Sequence, residues 1–259
     1  MKAKLVRIAD RVMEEYKLLP KDFGGHIEVG RGASGSATSK IDRWAEDIVI
    51  DLVGKENLEL NILSEERGFI DRGFKKTLVL DPIDGTINCT RAIPFFSVSM
   101  AVCTKTMSDA DLAVVKNLYT GDTYTAGRGR GAELNGHRIA VSRYNRDDAV
   151  FLMFDGLDVA PESEKVKQLA RRVRTLGCAS LEMSLVAQGS VQAHYMNCTN
   201  FKRMIRVVDV AASALILREA GGEVVDLTGE KFDLGLTLEE RKNFLAYGDP
   251  KVKELVLRG

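Results

Sequence analysis

The sequence predicts two joined halves, α+β first and α/β second. Residues 58–136 hold short apolar runs separated by turn signals. Among them Phe96-Ser-Val-Ser-Met-Ala-Val alternates cleanly, as a half-buried strand in an antiparallel block does. From about residue 149 strands and helices take turns instead, the rhythm of an α/β unit. Size permits both: at 259 residues and 28.5 kDa, folding should leave roughly 11,000 Å² of surface against about 41,000 Å² unfolded. No disulfide or metal staple is then needed to hold the core. The boundary is placed between residues 147 and 148, and the absence of a long linker implies that the halves share an interface.

The elements follow in order. Residues 3–18 mix apolar and charged positions at helical spacing and stop before Pro20. Residues 22–36 carry Asp22-Phe-Gly-Gly and Gly30-Arg-Gly-Ala-Ser-Gly-Ser, a stretch expected to be mobile. A second helix places Ile41, Trp44, Ala45, Ile48, Val49 and Leu52 on one stripe, with Asp42 in its first turns. Residues 58–63 and 77–80 read as strands, each ending abruptly in acids: Ser64-Glu65-Glu66 after the first, Asp81-Pro-Ile-Asp84 after the second. Strand 96–102 and two more strands around the glycine-rich hairpin 127–136 complete the first half. The second half reads as strand 150–154, helix 162–173, helix 181–188 and strand 191–196. After these come helix 207–220 stopped by Gly221-Gly222, strands 223–226 and 243–248, and a helix after Pro250.

Composition narrows the function classes. Thirty-seven Lys and Arg balance thirty-seven Asp and Glu, so charge does not point to a nucleic-acid partner. No apolar run approaches the ~20 residues needed to span a bilayer, and the N-terminal segment is a mixed, charged helix rather than a signal core. Cys89, Cys103, Cys178 and Cys198 are scattered without a Cys-x-x-Cys pair, which disfavours both a zinc site and a disulfide framework. A cytoplasmic protein is expected.

The densest chemical signal is Asp81-Pro82-Ile83-Asp84-Gly85-Thr86. Two carboxylates three residues apart, separated by a stiff proline, can converge on metal ions. Gly85 has no Cβ to hold a ligand away, and the N–H groups of Gly85 and Thr86 can cradle a phosphate oxygen. The same string also describes an ordinary capped turn, and an exposed Glu65-Glu66 pair is commonly a solvated loop end. Both acidic clusters end strands, however, so neighbouring strands would bring them together. Carboxylate and carbonyl oxygens suit Mg²⁺ or Mn²⁺ rather than zinc. His26, His137 and His194 are expected to be bystanders.

Glu65-Glu66, Asp81-Pro-Ile-Asp-Gly-Thr86-x-Asn88, and Val208-Asp209 before Ala211-Ala and Glu219-Ala-Gly-Gly222 resemble the inositol monophosphatase family, in order and over essentially the whole chain. This family belongs to the Mg²⁺-dependent, lithium-sensitive sugar phosphatases. The compact length and Asn88-Cys-Thr-Arg-Ala-Ile-Pro look most similar to archaeal members with dual fructose-1,6-bisphosphatase and inositol-1-monophosphatase activity. The resemblance implies a layered α-β-α-β-α sandwich, a homodimer, and two or three Mg²⁺ per site, with Mn²⁺ as a substitute. It implies that Glu65, Asp81 and the Ile83 carbonyl hold one metal, and Asp81, Asp84 and Asp209 a second. Thr86 with Asp42, assisted by Glu65, would orient and deprotonate the attacking water. Asp84, Gly85 and Thr86 would also meet the phosphate of a small sugar or inositol ester.

Two segments bear on the substrate. Arg174-Thr-Leu-Gly177-Cys-Ala179-Ser180-x-Glu182 resembles the family's substrate loop, in which backbone amides and Ser180 meet sugar hydroxyls and Arg174 reaches a phosphate; a plain strand-to-helix turn capped by Ser180 fits it as well. Phe201-Lys202-Arg203-Met-Ile-Arg206 is basic where animal relatives carry a Glu, which favours a second phosphate on the substrate or else a solvated strand edge. Val208 stands where the family commonly has Trp, and the 22–36 loop has Ser34 and Ser36 where relatives often have acids. Two rivals stand beside this reading. One is a phosphatase for adenosine 3′,5′-bisphosphate or NADP, for which Trp44 is the sole indole and is expected in the core. The other is a non-enzymatic, RNA-linked scaffold, which an intact set of acids disfavours.

Overall fold

The computed structural model describes residues 1–20, 22–33, 35 and 37–258; Ser34 and Ser36 lie outside them. In chain order the first half comprises α1 (Lys2–Leu18), β1 (Glu28–Arg31), β2 (Ala37–Ser39), α2 (Lys40–Lys55), β3 (Asn61–Ser64), β4 (Gly68–Ile70), β5 (Thr77–Asp84), α3 (Thr86–Thr90), β6 (Ser97–Cys103), β7 (Leu112–Asn117), β8 (Thr123–Gly127), β9 (Ala132–Leu134) and β10 (His137–Arg138). The second comprises β11 (Val150–Met153), α4 (Ser163–Lys167), β12 (Arg172–Arg174), α5 (Ala179–Ala187), β13 (Ala193–Met196), α6 (Val207–Glu219), β14 (Glu223–Val225), β15 (Phe244–Tyr247) and α7 (Pro250–Leu257). No helix among the described residues is long and apolar enough to cross a membrane.

Strand periodicity builds five layers. An eight-stranded sheet runs β10-β9-β8-β7-β6-β5-β3-β4, and a five-stranded sheet runs β12-β11-β13-β15-β14. On β5 and β6, Leu78, Leu80, Met100 and Val102 face Leu5, Ile8, Val49 and Val53 of α1 and α2. The alternate residues Val79, Ala101 and Cys103 face α5 and α6, where Leu152, Phe244 and Ala246 of the smaller sheet also pack. The far side of that sheet, Phe151, Met153, Tyr195 and Leu245, meets Val166 of α4 and Val252 of α7. The period of two thus sends each strand's side chains into two separate cores. The accessible surface is 11725 Å², close to the area a compact chain of this mass should keep. All four cysteines are free and buried.

The structure departs from the sequence expectation in three places. The expected helix over 162–173 is only α4, five residues long; its second part becomes β12, paired in parallel with β11 at Val150↔Arg172 and Leu152↔Arg174. An open strand edge there outweighs the helix preference of a Lys/Leu/Ala/Arg stretch. The glycine-rich stretch forms a ribbon, with β1 antiparallel to β2. Strand β5 does not stop at Leu80 but runs on through Asp84, with its register against β6 shifting between Asp81 and Asp84. Pro82 lies inside that bulge, where its missing N–H breaks no regular ladder.

Candidate active site

Parallel pairing of β3 with β5 sets the first contact. Ser64 lies opposite Leu80, so the next residue of each strand, Glu65 and Asp81, emerge side by side. Asp209 comes from the first turn of α6, where its Oδ2 accepts from the Arg206 N–H at 2.7 Å. One ligand atom from each of Glu65, Asp81 and Asp209 lies within 4.8 Å of the others. Asp84 ends β5 almost fully buried, and its Oδ2 accepts from the Ser180 N–H at 2.6 Å and from the Cys178 thiol at 3.1 Å. Ile83 donates its N–H to Asp81 Oδ1 at 3.1 Å.

Burial makes these carboxylates expensive to ionise. It raises Glu65 to about 7 against the opposing pull of Arg206, and it raises Asp81 well above the usual carboxylate range, helped by Glu65 and Asp84. Asp84 is also raised, by burial first, although the Ser180 and Cys178 hydrogen bonds work the other way. A cation amid such acids removes that cost, and hard oxygen donors suit Mg²⁺ or Mn²⁺. The residues present therefore fit a divalent metal.

Beside the acids, Thr86 Oγ1 lies 2.9 Å from Asp42 Oδ1 and 3.0 Å from the Ile83 carbonyl oxygen. Asp42 sits in the first turn of α2, capping Ser39 and receiving the Ser39 hydroxyl at 2.6 Å. Its acidity is weakened by burial. Gly85 has φ 85° and ψ 40°, and a Cβ built on it would stand 3.1 Å from Cys178 Cβ and 3.2 Å from the Gly177 and Phe95 carbonyl oxygens. Only glycine fits this crossing of β5 and the 176–178 turn.

Residues 2–258 match the model of the inositol monophosphatase family. The chain belongs to the inositol monophosphatase family. That membership makes it a phosphoric monoester hydrolase of a metal-dependent family. It is 36% identical to the fructose-1,6-bisphosphatase/inositol-1-monophosphatase of Archaeoglobus fulgidus, over 88% of this chain and 87% of that one. It is 32% identical, over 87% of its own length and 43% of the other's, to the bifunctional NADP phosphatase/NAD kinase of Methanococcus maripaludis. A solved structure described as an inositol monophosphatase–fructose 1,6-bisphosphatase superposes with a TM-score of 0.86 at 30% identity, covering 100% of this chain and 99% of that one.

Not every candidate of the inositol monophosphatase resemblance meets the acids. Ala179 and Ser180 open α5, and Ser180 Oγ is 2.7 Å from Ser97 Oγ. Arg174 is exposed, its Nη1 donating to the Val173 carbonyl at 2.7 Å. Lys202 and Arg203 lie on an exposed 3-10 turn, and Arg203 Nε is 3.1 Å from Asp158 Oδ2. Trp44 is half-buried, edge-on to Phe23. His26 and His137 are exposed, while His194 is buried between Glu182, with Nε2 3.5 Å from its Oε2, and the Phe244 ring.

The structure also adds residues to which the sequence assigned no such role. Glu66 is buried, hydrogen-bonded by the Thr38 hydroxyl, and its carbonyl receives Ala33 N–H at 2.8 Å, pinning the ribbon beside the acids. Glu182 accepts the Leu176 N–H at 2.9 Å together with the amides of Gly177 and Cys178. Asn88 donates to the Phe95 and Leu176 carbonyls at 2.8 and 2.7 Å, holding the same turn from the first half. Their signal lay within the quoted motifs, but nothing local to them says what they touch. Arg206, read from sequence as a phosphate ligand, instead pairs with Glu65 and Asp209.

Proposed function

We propose that the protein hydrolyses a phosphate monoester of a small polyol, fructose 1,6-bisphosphate or inositol 1-phosphate or both, with Mg²⁺ in the acidic centre. The convergence of Glu65, Asp81 and Asp209 within 4.8 Å beside the Asp42–Thr86 pair carries this reading. Glu65, Asp81 and the Ile83 carbonyl would hold one ion, and Asp81, Asp84 and Asp209 a second. Bound there, Mg²⁺ supplies the charge that acidifies a water and stabilises a phosphoryl group in transfer.

The chain's own groups do the rest. A Thr86 hydroxyl that donates to Asp42 keeps its lone pairs free to accept from the attacking water, and Asp42 is the terminal proton acceptor of that pair. Glu65 assists as a second base. Amides opening α3 have no partner within the helix and face the phosphate beside Gly85 and Asp84. The Ala179 backbone at the start of α5 orients the polyol, while Ser180 acts through its N–H on Asp84. Arg174, Lys202 and Arg203 supply positive charge for a second phosphate. The A. fulgidus relative's dual name supports this choice of substrates. Homodimer assembly and a cytoplasmic location, in keeping with four free cysteines, complete the proposal.

The test is Mg²⁺-dependent phosphate release measured side by side on fructose 1,6-bisphosphate, inositol 1-phosphate, adenosine 3′,5′-bisphosphate and NADP. Release from the first two is expected. Preference for a nucleotide would replace the substrate and keep the metal chemistry. Asp84→Asn should cut release by more than the about 100-fold typical of outer-shell partners, with thermal stability retained because an amide oxygen still accepts from Ser180. Full activity in that variant would remove the two-metal assignment.

A further inference from the structure

The acids of the centre are not left facing one another. Arg206 Nη1 lies 2.6 Å from Glu65 Oε1, Nη2 lies 2.9 Å from Asp209 Oδ1, and Nε lies 3.2 Å from Asp209 Oδ2. The guanidinium is largely buried, with 12% of its side chain exposed. Its position follows from local structure: Arg206 caps α6, and Asp209 is the third residue of that helix, so the side chain folds back over the first turn. Asp209 is held in two separable ways. The Arg206 backbone N–H holds Oδ2 at 2.7 Å, joined by Nε at 3.2 Å, whereas Oδ1 is held, among the described residues, by the guanidinium alone.

We propose that Arg206 competes with metal for the acidic centre, its guanidinium bridging Glu65 and Asp209 and yielding those oxygens when a metal binds. This inference rests on the metal-centre reading above. The two acids it spans belong to different metal positions in that reading, so one guanidinium takes oxygens of both, Asp209 by hydrogen bonds and Glu65 as an ion pair. Loading requires the guanidinium to leave, while the backbone cap on Asp209 Oδ2 persists and keeps the carboxylate aimed. Arg206 therefore preorganises the ligands at the cost of apparent metal affinity, because occupation by the guanidinium and by metal exclude each other.

The geometry sets a lysine apart from an arginine. An ammonium keeps the charge but cannot span Glu65 and Asp209 with a rigid fork. The experiment is calorimetric titration of Mn²⁺ into wild type, Arg206→Met and Arg206→Lys, with melting temperatures of all three in EDTA and in saturating Mn²⁺. Both variants should bind Mn²⁺ about tenfold or more tightly than wild type. Arg206→Met should melt several degrees lower in EDTA but within about a degree of wild type when loaded.

Three outcomes would overturn the proposal. Equal losses of melting temperature in EDTA and in Mn²⁺ would leave Arg206 a helix cap alone. Tighter binding by the Met variant with the Lys variant unchanged would make the effect one of charge alone, without competition for the oxygens. Unchanged affinity in both would show that the guanidinium need not move. If wild type itself binds no Mn²⁺, the metal-centre reading fails first and this inference with it. Should the Met variant not fold, the Lys variant's titration decides the matter.

Discussion

Gly85 shows how much of the site depends on a missing side chain. Its φ of 85° lies in the left-handed region, and the Gly177 carbonyl oxygen would stand 3.2 Å from any Cβ. Conformation and space both exclude a larger residue, because the 176–178 turn must come this close for Ser180 to reach Asp84. Gly85→Ala should therefore destabilise the fold by about 1–3 kcal/mol, read as a lower urea midpoint at unchanged slope. An unchanged midpoint would mean that the turn can retreat without cost. Asp42 and Thr86 illustrate the opposite dependence, in which a direct contact matters and the backbone around it is ordinary.

At the scale of elements, helix starts organise the chemistry. Helices α2, α3, α5 and α6 each contribute a site residue from the first turn: Asp42, Thr86, Ser180 and Asp209. Three of these first-turn amides are already engaged, Asp42's by the Ser39 hydroxyl, Ser180's by Asp84 and Asp209's by the Arg206 carbonyl, so these helix starts chiefly aim side chains. Helix α6 also sits between the two sheets, and every residue from Val207 to Leu217 is buried. Its Ala and Ser positions let β5, β6 and α5 approach closely. Ala214 has 0% exposure. Ala214→Leu should cost about 1–3 kcal/mol by overpacking, measured by urea unfolding. Full stability in that variant would show that the layers around α6 can separate, contrary to the close packing seen.

Over the whole molecule, buried titratable groups link stability to pH. Burial raises Glu65, Glu66 and Glu182 from 4.5 to about 7. Between those values the folded metal-free chain keeps protons that the unfolded chain has released, so stability falls as pH rises through the window. His194 acts in the other sense. Burial lowers it from 6.5 to about 3, so stability rises with pH between those values. Burial raises Asp42, Asp81 and Asp84 in the same sense, so the carboxylates outweigh the one imidazole and leave a net fall. The urea midpoint in EDTA should thus be lower at about pH 7.5 than at about pH 5.5. In Glu182→Gln the fall should be shallower by about 1.4 kcal/mol per pH unit inside the window. A midpoint that rises with pH would contradict the burial of these acids.

The run Asp81–Thr86, the acids after β3, the Asp209 helix and the family were legible in the sequence because each is a local pattern. Residue type and spacing within one turn or strand end determine which atoms a short segment can offer, whatever lies elsewhere. The layered fold followed from the family resemblance, whereas strand and helix periods alone predict only an α+β half and an α/β half. Tertiary structure alone decided who meets whom. The parallel register that sets Glu65 beside Asp81, the crossing of Ser180 over Asp84, the pinning of the ribbon by Glu66 and the seat of Arg206 between two acids all join distant segments. So does the conversion of residues 172–174 from helix to strand, which an open edge on β11 imposes. Pairing energies of that kind depend on the whole packed chain, and no window of sequence contains them.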